Sequence, residues 1–282
     1  MKTYRHSILI GAALFMGQSG AATAGGLMPA PEYPPEPYET YKGAVEVPVP
    51  VVVQHDWYLR GFIGMTNQDV DDITNTTIQA GSFQIEQTSF DSSPFIGGGI
   101  GFIANEHIRF DLTSEYRGGA SFRGLDTYVD PGCGPGVCTN EHTGVKREWL
   151  MLANAYWDIF TMHGVTPYVG GGIGAARVTL DDFWDVNLVT NGLHWADDNS
   201  EWNFAWALTG GFAYELTPNL TFDVAYRYTE TGDGTTGPYF TYDPAAPQPQ
   251  DPTTLEDIHS HDILVGLRWN FGYEEAIPIA YK

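Results

Sequence analysis

Eight stretches of the chain alternate apolar and polar side chains: residues 56–65, 94–103, 107–117, 147–160, 166–178, 201–215, 220–229 and 261–271. A period of two is the mark of strands with two unlike faces. Most of these stretches hold roughly the 9 to 11 residues that a tilted strand needs to cross a bilayer. The connections between them alternate in length, long at 66–93, 118–146, 179–200 and 230–260, short at 104–106, 161–165 and 216–219. That pattern predicts an all-β fold, an eight-stranded antiparallel up-and-down transmembrane β-barrel with four long extracellular loops and short periplasmic turns.

Alternation alone fits a water-soluble sandwich, apolar inside, as well as a membrane barrel with the reverse arrangement. Three features favour the barrel. Aromatic residues on the apolar face gather at strand ends: Trp57, Trp157, Trp269 and Phe271 near the short turns, Trp149, Trp202 and Tyr228 near the long loops. Two such belts are expected where amphipathic rings meet lipid headgroups. The polar faces of FIGGGIGF and YVGGGIGAA carry glycine in series, which suits the interior of a small barrel, where small and large residues must share space. The polar face also carries a near-balanced set of charges, Arg60, Arg109, Arg117, Arg227 and Arg268 with Asp111, Glu115, Glu148, Glu215 and Asp223. Charges that point inward must pair, because an unpaired buried charge costs several kcal/mol.

The flanks are of other kinds. Residues 1–24 place Lys2 and Arg5 before a short apolar run and the small-residue site Ala22-Thr23-Ala24, the pattern of a cleaved signal peptide. Residues 25–54 are proline-rich and read as a periplasmic linker, 55–271 as the barrel, and 272–282 as a periplasmic tail. Asp and Glu number 35 against 13 Lys and Arg, and the acidic excess lies in the long connections, which argues against nucleic acid as a partner. Cys133 and Cys138 flank a Gly-Pro-Gly turn and predict a small-loop disulfide; a metal site there has only His142 as a further ligand.

The strands TPYVGGGIGAA and ELTPNLTFDVAYRY and the closing ILVGLRWNF resemble the eight-stranded outer-membrane β-barrel proteins of Gram-negative bacteria, nearest the OmpA-type, opacity-like surface proteins that include alphaproteobacterial porin-family members. The resemblance implies an outer-membrane location, lipid and lipopolysaccharide as surroundings, assembly by the barrel assembly machinery, and no catalytic residue or cofactor. It implies a role in envelope integrity or surface interaction.

An eight-stranded barrel is just wide enough for side chains to fill, so the paired charges are expected to plug the lumen. A narrow pore or a path for small solutes is the alternative. Loop-mediated adhesion or divalent-cation binding is a third, since DVDD at 69–72 and DDFWD at 181–185 are acidic, although neither has the spacing of a calcium loop. An enzyme reading rests on His259, Ser260, His261 and Asp262 alone, with no nucleophile motif around Ser260. The ligand of the loops is not legible.

Overall fold

A computed structural model describes residues 53–54, 57–74, 84–129, 131–134, 136–189, 191–242, 249–271 and 273–274. Residues 1–24, read above as a signal peptide, most of the proline-rich segment and the last eight residues lie outside the described residues. Eight long strands form the wall: β1 (Trp57–Asp69), β2 (Ser93–Ile103), β3 (Ile108–Tyr128), β4 (Cys138–Asp158), β5 (Val165–Asn187), β6 (Asn199–Thr217), β7 (Leu220–Thr235) and β8 (Thr254–Asn270). Each is antiparallel to the next, and β8 pairs with β1 from His259↔Asp69 to Asn270↔Tyr58, which closes the ring. Closure leaves no free sheet edge in the wall, the only way strands satisfy their backbone groups in lipid.

The short connections are tight for local reasons. His163 and Gly164 both have positive φ, 53° and 79°, the arrangement of a two-residue turn whose twist matches a hairpin. Asn105 accepts from the backbone N–H groups of His107 and Ile108, and the Thr217 hydroxyl accepts from that of Leu220.

The apolar face points outward. Ile96, Leu112, Ile173 and Phe212 are each 62% exposed, while Arg109 and Arg117 are 1% and 0% exposed. A water-soluble protein would have these assignments reversed. The girdle residues Trp57, Trp149, Trp157, Trp202 and Trp269 lie exposed on the outer wall, with Tyr228 and Phe271 partly so. Inside, glycine makes room for rings: a Cβ on Gly101 would strike the Tyr58 ring, and one on Gly170 the Tyr156 ring.

All four long connections are shorter than the sequence pattern suggests, the first only slightly, because the strands run on past the apolar band. β3 and β4 take in most of 118–146, leaving only residues 129–137 between them. The period is broken where this extension begins. On β3 the inward residues are Arg109, Asp111, Thr113, Glu115 and Arg117, then Ala120, Phe122 and Asp126; the register slips between Arg117 and Ala120, at Gly118-Gly119. A β-bulge of one extra residue switches which parity faces inward. Similar slips occur on β5 beside Asp182 and on β8 beside Asp257, both with positive φ.

Beyond the bulges the solvent logic inverts. Phe90, Phe122, Leu180, Phe183, Leu255 and Ile258 belong to one buried cluster inside the extension, while Ser121, Arg123 and Glu141 face out. The lower wall is therefore built for lipid outside, and the upper wall for water outside. Cys133 and Cys138 form a disulfide in the β3–β4 connection, with Cα atoms 5.5 Å apart. Val53–Gln54 pairs with Tyr273–Glu274, so the chain entering the barrel and the chain leaving it are joined by a two-residue ladder.

Candidate functional site: the filled lumen and its upper rim

The inward positions stack in layers. Near the short-turn end, Arg60 on β1 reaches Asp111 on β3 at 3.1 Å and donates to the Tyr156 hydroxyl on β4 at 2.7 Å. Asp111 also accepts from the Tyr58 hydroxyl and from Asn154 Nδ2. Arg109 lies between two rings, its guanidinium carbon 4.1 Å from the Tyr156 centroid and 4.4 Å from that of Tyr168, and its Nε donates to Asp158. Arg268 and Asp223 face each other at 3.9 Å, a longer pair.

Halfway up, four charges form a closed ring. Arg117 contacts Asp262 at 2.7 Å and Glu115 at 2.9 Å; Arg227 contacts Glu115 at 2.6 Å and Asp262 at 2.9 Å. Each arginine touches both carboxylates, so the ring is neutral and each charge has two partners. Three strands are tied by it: β3 supplies Arg117 and Glu115, β7 Arg227 and β8 Asp262, while β2 places the Phe95 ring about equally far from both guanidinium groups, 5.6 and 5.5 Å. Beside the ring, Lys146 Nζ contacts Glu148 at 2.7 Å and donates to Gln68 at 2.8 Å. The apolar cluster of the extension lies above.

Of the ten charges expected in the lumen, nine are buried on the inner face. Glu215 is the correction: it is exposed at the short-turn end of β6 and makes no ion pair among the described residues. It has inward parity but lies past the rim. The inward positions of β6 higher up are small, Ala205, Ala207, Thr209 and Ala213, which leaves space for the long side chains opposite. Asp262, Lys146, Asp158 and the tyrosines at 58, 156 and 168 were missed by the sequence pattern. Asp262 shares the parity of Arg268 on one strand, which is the signal that would have found it.

At the top of the extension a second polar group is buried. His142 Nε2 contacts Asp126, its cross-strand neighbour is Asp185, and Asp185 faces His194 at 3.9 Å. Burial pulls His142 toward the neutral form, but the hydrogen bond to Asp126 and the charge of Asp185 outweigh it and raise its pKa. Burial raises that of Asp185, against the pull of His142 and His194. No group of three acidic, histidine or cysteine residues is placed to hold a metal among the described residues. In the DVDD segment, Asp69 and Asp72 instead accept from the next backbone N–H.

Residues 259–262 do not converge. Alternation sends Ser260 and Asp262 into the lumen and leaves His259 and His261 on the outer face. Ser260 Oγ accepts from Arg117 at 2.8 Å, and His261 Nδ1 pairs with the Tyr226 hydroxyl. No nucleophile is presented to a base there.

A family model described as "Outer membrane protein beta-barrel domain" matches residues 118–271. An uncharacterized protein of Brucella melitensis biotype 1 is 29% identical over 254 residues, covering 79% of this chain and 88% of that protein. Outer membrane protein PagN of Salmonella typhimurium is 28% identical over 131 residues, 44% of this chain and 50% of that protein. Among solved structures, outer membrane protein OprG from Pseudomonas aeruginosa aligns over 77% of this chain and 96% of that chain, at 16% identity and a TM-score of 0.44.

Proposed function

The chain belongs to the outer membrane protein β-barrel domain family, and from that premise we propose that it is a non-enzymatic, non-conducting barrel that displays an extracellular surface for interaction. The observation that carries this reading is the closed ring of Arg117, Asp262, Arg227 and Glu115 at mid-height. A solute crossing the lumen must part charges that each hold two partners, and then displace the apolar cluster above them. Separating one member from such a buried set costs about 3 to 5 kcal/mol.

Two further observations support display. Much of the wall stands above the lipid band with its own apolar core, and the outer surface there is rich in carboxylates such as Asp69, Asp182, Asp197 and Asp198. In this reading lipopolysaccharide packs against Trp149, Trp202 and Tyr228, and the barrel assembly machinery engages the closing strand at Phe271.

Planar-bilayer recording tests the plug. The wild-type barrel is expected to stay silent at high protein load, and the double variant Arg117→Ser, Asp262→Ser to show discrete channels. Reproducible channels from the folded wild-type protein would sink the reading in favour of a pore.

A further inference from the structure

Beyond the β5 bulge, Trp184 pairs in register with Trp195 of the short strand Leu193–Ala196, and Trp195 pairs with Phe240 of the short strand Tyr239–Thr241. The three rings form a row across three strands, 6.4 and 6.2 Å between successive centroids, and Tyr242 approaches Trp195 at 4.7 Å. Trp184 is 41% exposed and Tyr242 76%, so the row faces solvent.

This row is too high for a lipid girdle. The girdle level on β5 is Arg177, which pairs with Trp149 on one side and Trp202 on the other. Trp184 lies seven residues further, about 23 Å along the strand. Carboxylates border the row. Asp182 and Asp198 are both exposed and held together by the Asp182 N–H donating to Asp198 Oδ1, and Asp197 is exposed two residues beyond Trp195. Asp181 is paired with Arg147, but Asp182, Asp197 and Asp198 have no lysine or arginine partner among the described residues.

We propose that the Trp184, Trp195, Phe240 and Tyr242 row with its Asp182, Asp197 and Asp198 border is a docking platform for an arginine-bearing cationic segment of a partner protein. The proposal rests on the surface-display reading and names the class of partner. A planar guanidinium stacks on aromatic faces and pairs with carboxylates at its edge, so one side chain satisfies both halves of the platform. An ammonium carries the same charge without the stacking plane. Anionic partners, whether phosphates or sulfated sugars, are repelled by the border, and a second copy of this chain brings its own net charge of −22.

The test uses the full-length protein in lipid nanodiscs, with fluorescence anisotropy of labelled nona-arginine, nona-lysine and a heparin oligosaccharide. Saturable binding of nona-arginine is expected, tighter than nona-lysine. Trp184→Ala and Tyr242→Ala are expected to weaken it by about tenfold, in line with about 1.4 kcal/mol of cation–π contact. The pair Asp197→Asn, Asp198→Asn should weaken it as well and flatten its salt dependence. A difference in detergent-gel mobility between unboiled and boiled samples, the gel shift, shows that each variant is folded, and Tyr242 is exposed enough that its loss leaves the extension intact. Absence of saturable binding, affinity unchanged in both aromatic variants, or a preference for heparin overturns the proposal. Silent bilayers from the same sample in those cases leave the surface-display reading standing; channels would sink that reading separately.

Discussion

Asp262 is fully buried and accepts from Arg117, Arg227 and the Thr229 hydroxyl through one oxygen. Replacing it with alanine leaves two guanidinium groups facing one carboxylate, Glu115, in a site that water does not reach. The expected loss is about 3 to 5 kcal/mol, read as a lower urea midpoint for loss of the gel shift. Glu215→Ala should lower stability by less than about 0.5 kcal/mol and leave the same midpoint almost unmoved, because its carboxylate is already solvated. Equal effects would mean that the ring does not hold the barrel together. The two residues also mark what sequence parity reports. It tells which face a side chain takes, and Glu215 does have inward parity. It does not tell height, and at the rim an inward direction still meets water. Tyr58, Tyr156 and Tyr168 are not legible in the sequence for a different reason: an aromatic ring on a polar face looks like noise until the cations it stacks against are in place.

At the scale of single strands, the eight segments and their order are readable because lipid demands an unbroken apolar face over roughly ten residues. The extensions are not readable, because a bulge changes the parity and the outer solvent changes at nearly the same point, so Phe122 and Leu180 look like loop residues. Turn-like Gly118-Gly119 reinforces that impression. The extension ends in the group of Asp126, His142, Asp185 and His194, the first two buried and the other two partly exposed, and its chemistry gives the extension a pH dependence. The raised pKa of His142 means that its stabilising proton is present below neutrality and lost as pH rises through the folded value. The raised pKa of Asp185 favours the protonated folded form, so its contribution also falls as pH rises. Both act in one direction. Hydrogen exchange of the β3 and β4 ends is expected to be faster at pH 8.5 than at pH 6 beyond the intrinsic change in rate, and His142→Gln should remove most of the difference. Slower corrected exchange at the higher pH would show the sign to be wrong.

At the scale of the whole molecule, the wall closes through β8 on β1, and Phe271 N–H donates to the Trp57 carbonyl just beyond the last ladder pair. The seam is thus complete before Tyr273–Glu274 pairs with Val53–Gln54. Removing residues 272–282 is expected to leave outer-membrane assembly and the gel shift intact, whereas Phe271→Asp should reduce the assembled fraction severalfold in membrane fractions. The opposite pattern would move the closing signal into the tail. The 23 residues of β5 extend about 75 Å, or about 55 Å upright at a 40° tilt, against a hydrocarbon layer of about 30 Å. The upper wall therefore works as a pedestal whose height is set in steps: deleting matched pairs of residues from neighbouring strands between bulge and tip keeps every side chain on its face and lowers the aromatic row by about 5 Å each time. How far the tip stands above the lipid is then adjustable by inheritance of two-residue insertions, with the lipid-embedded half left untouched.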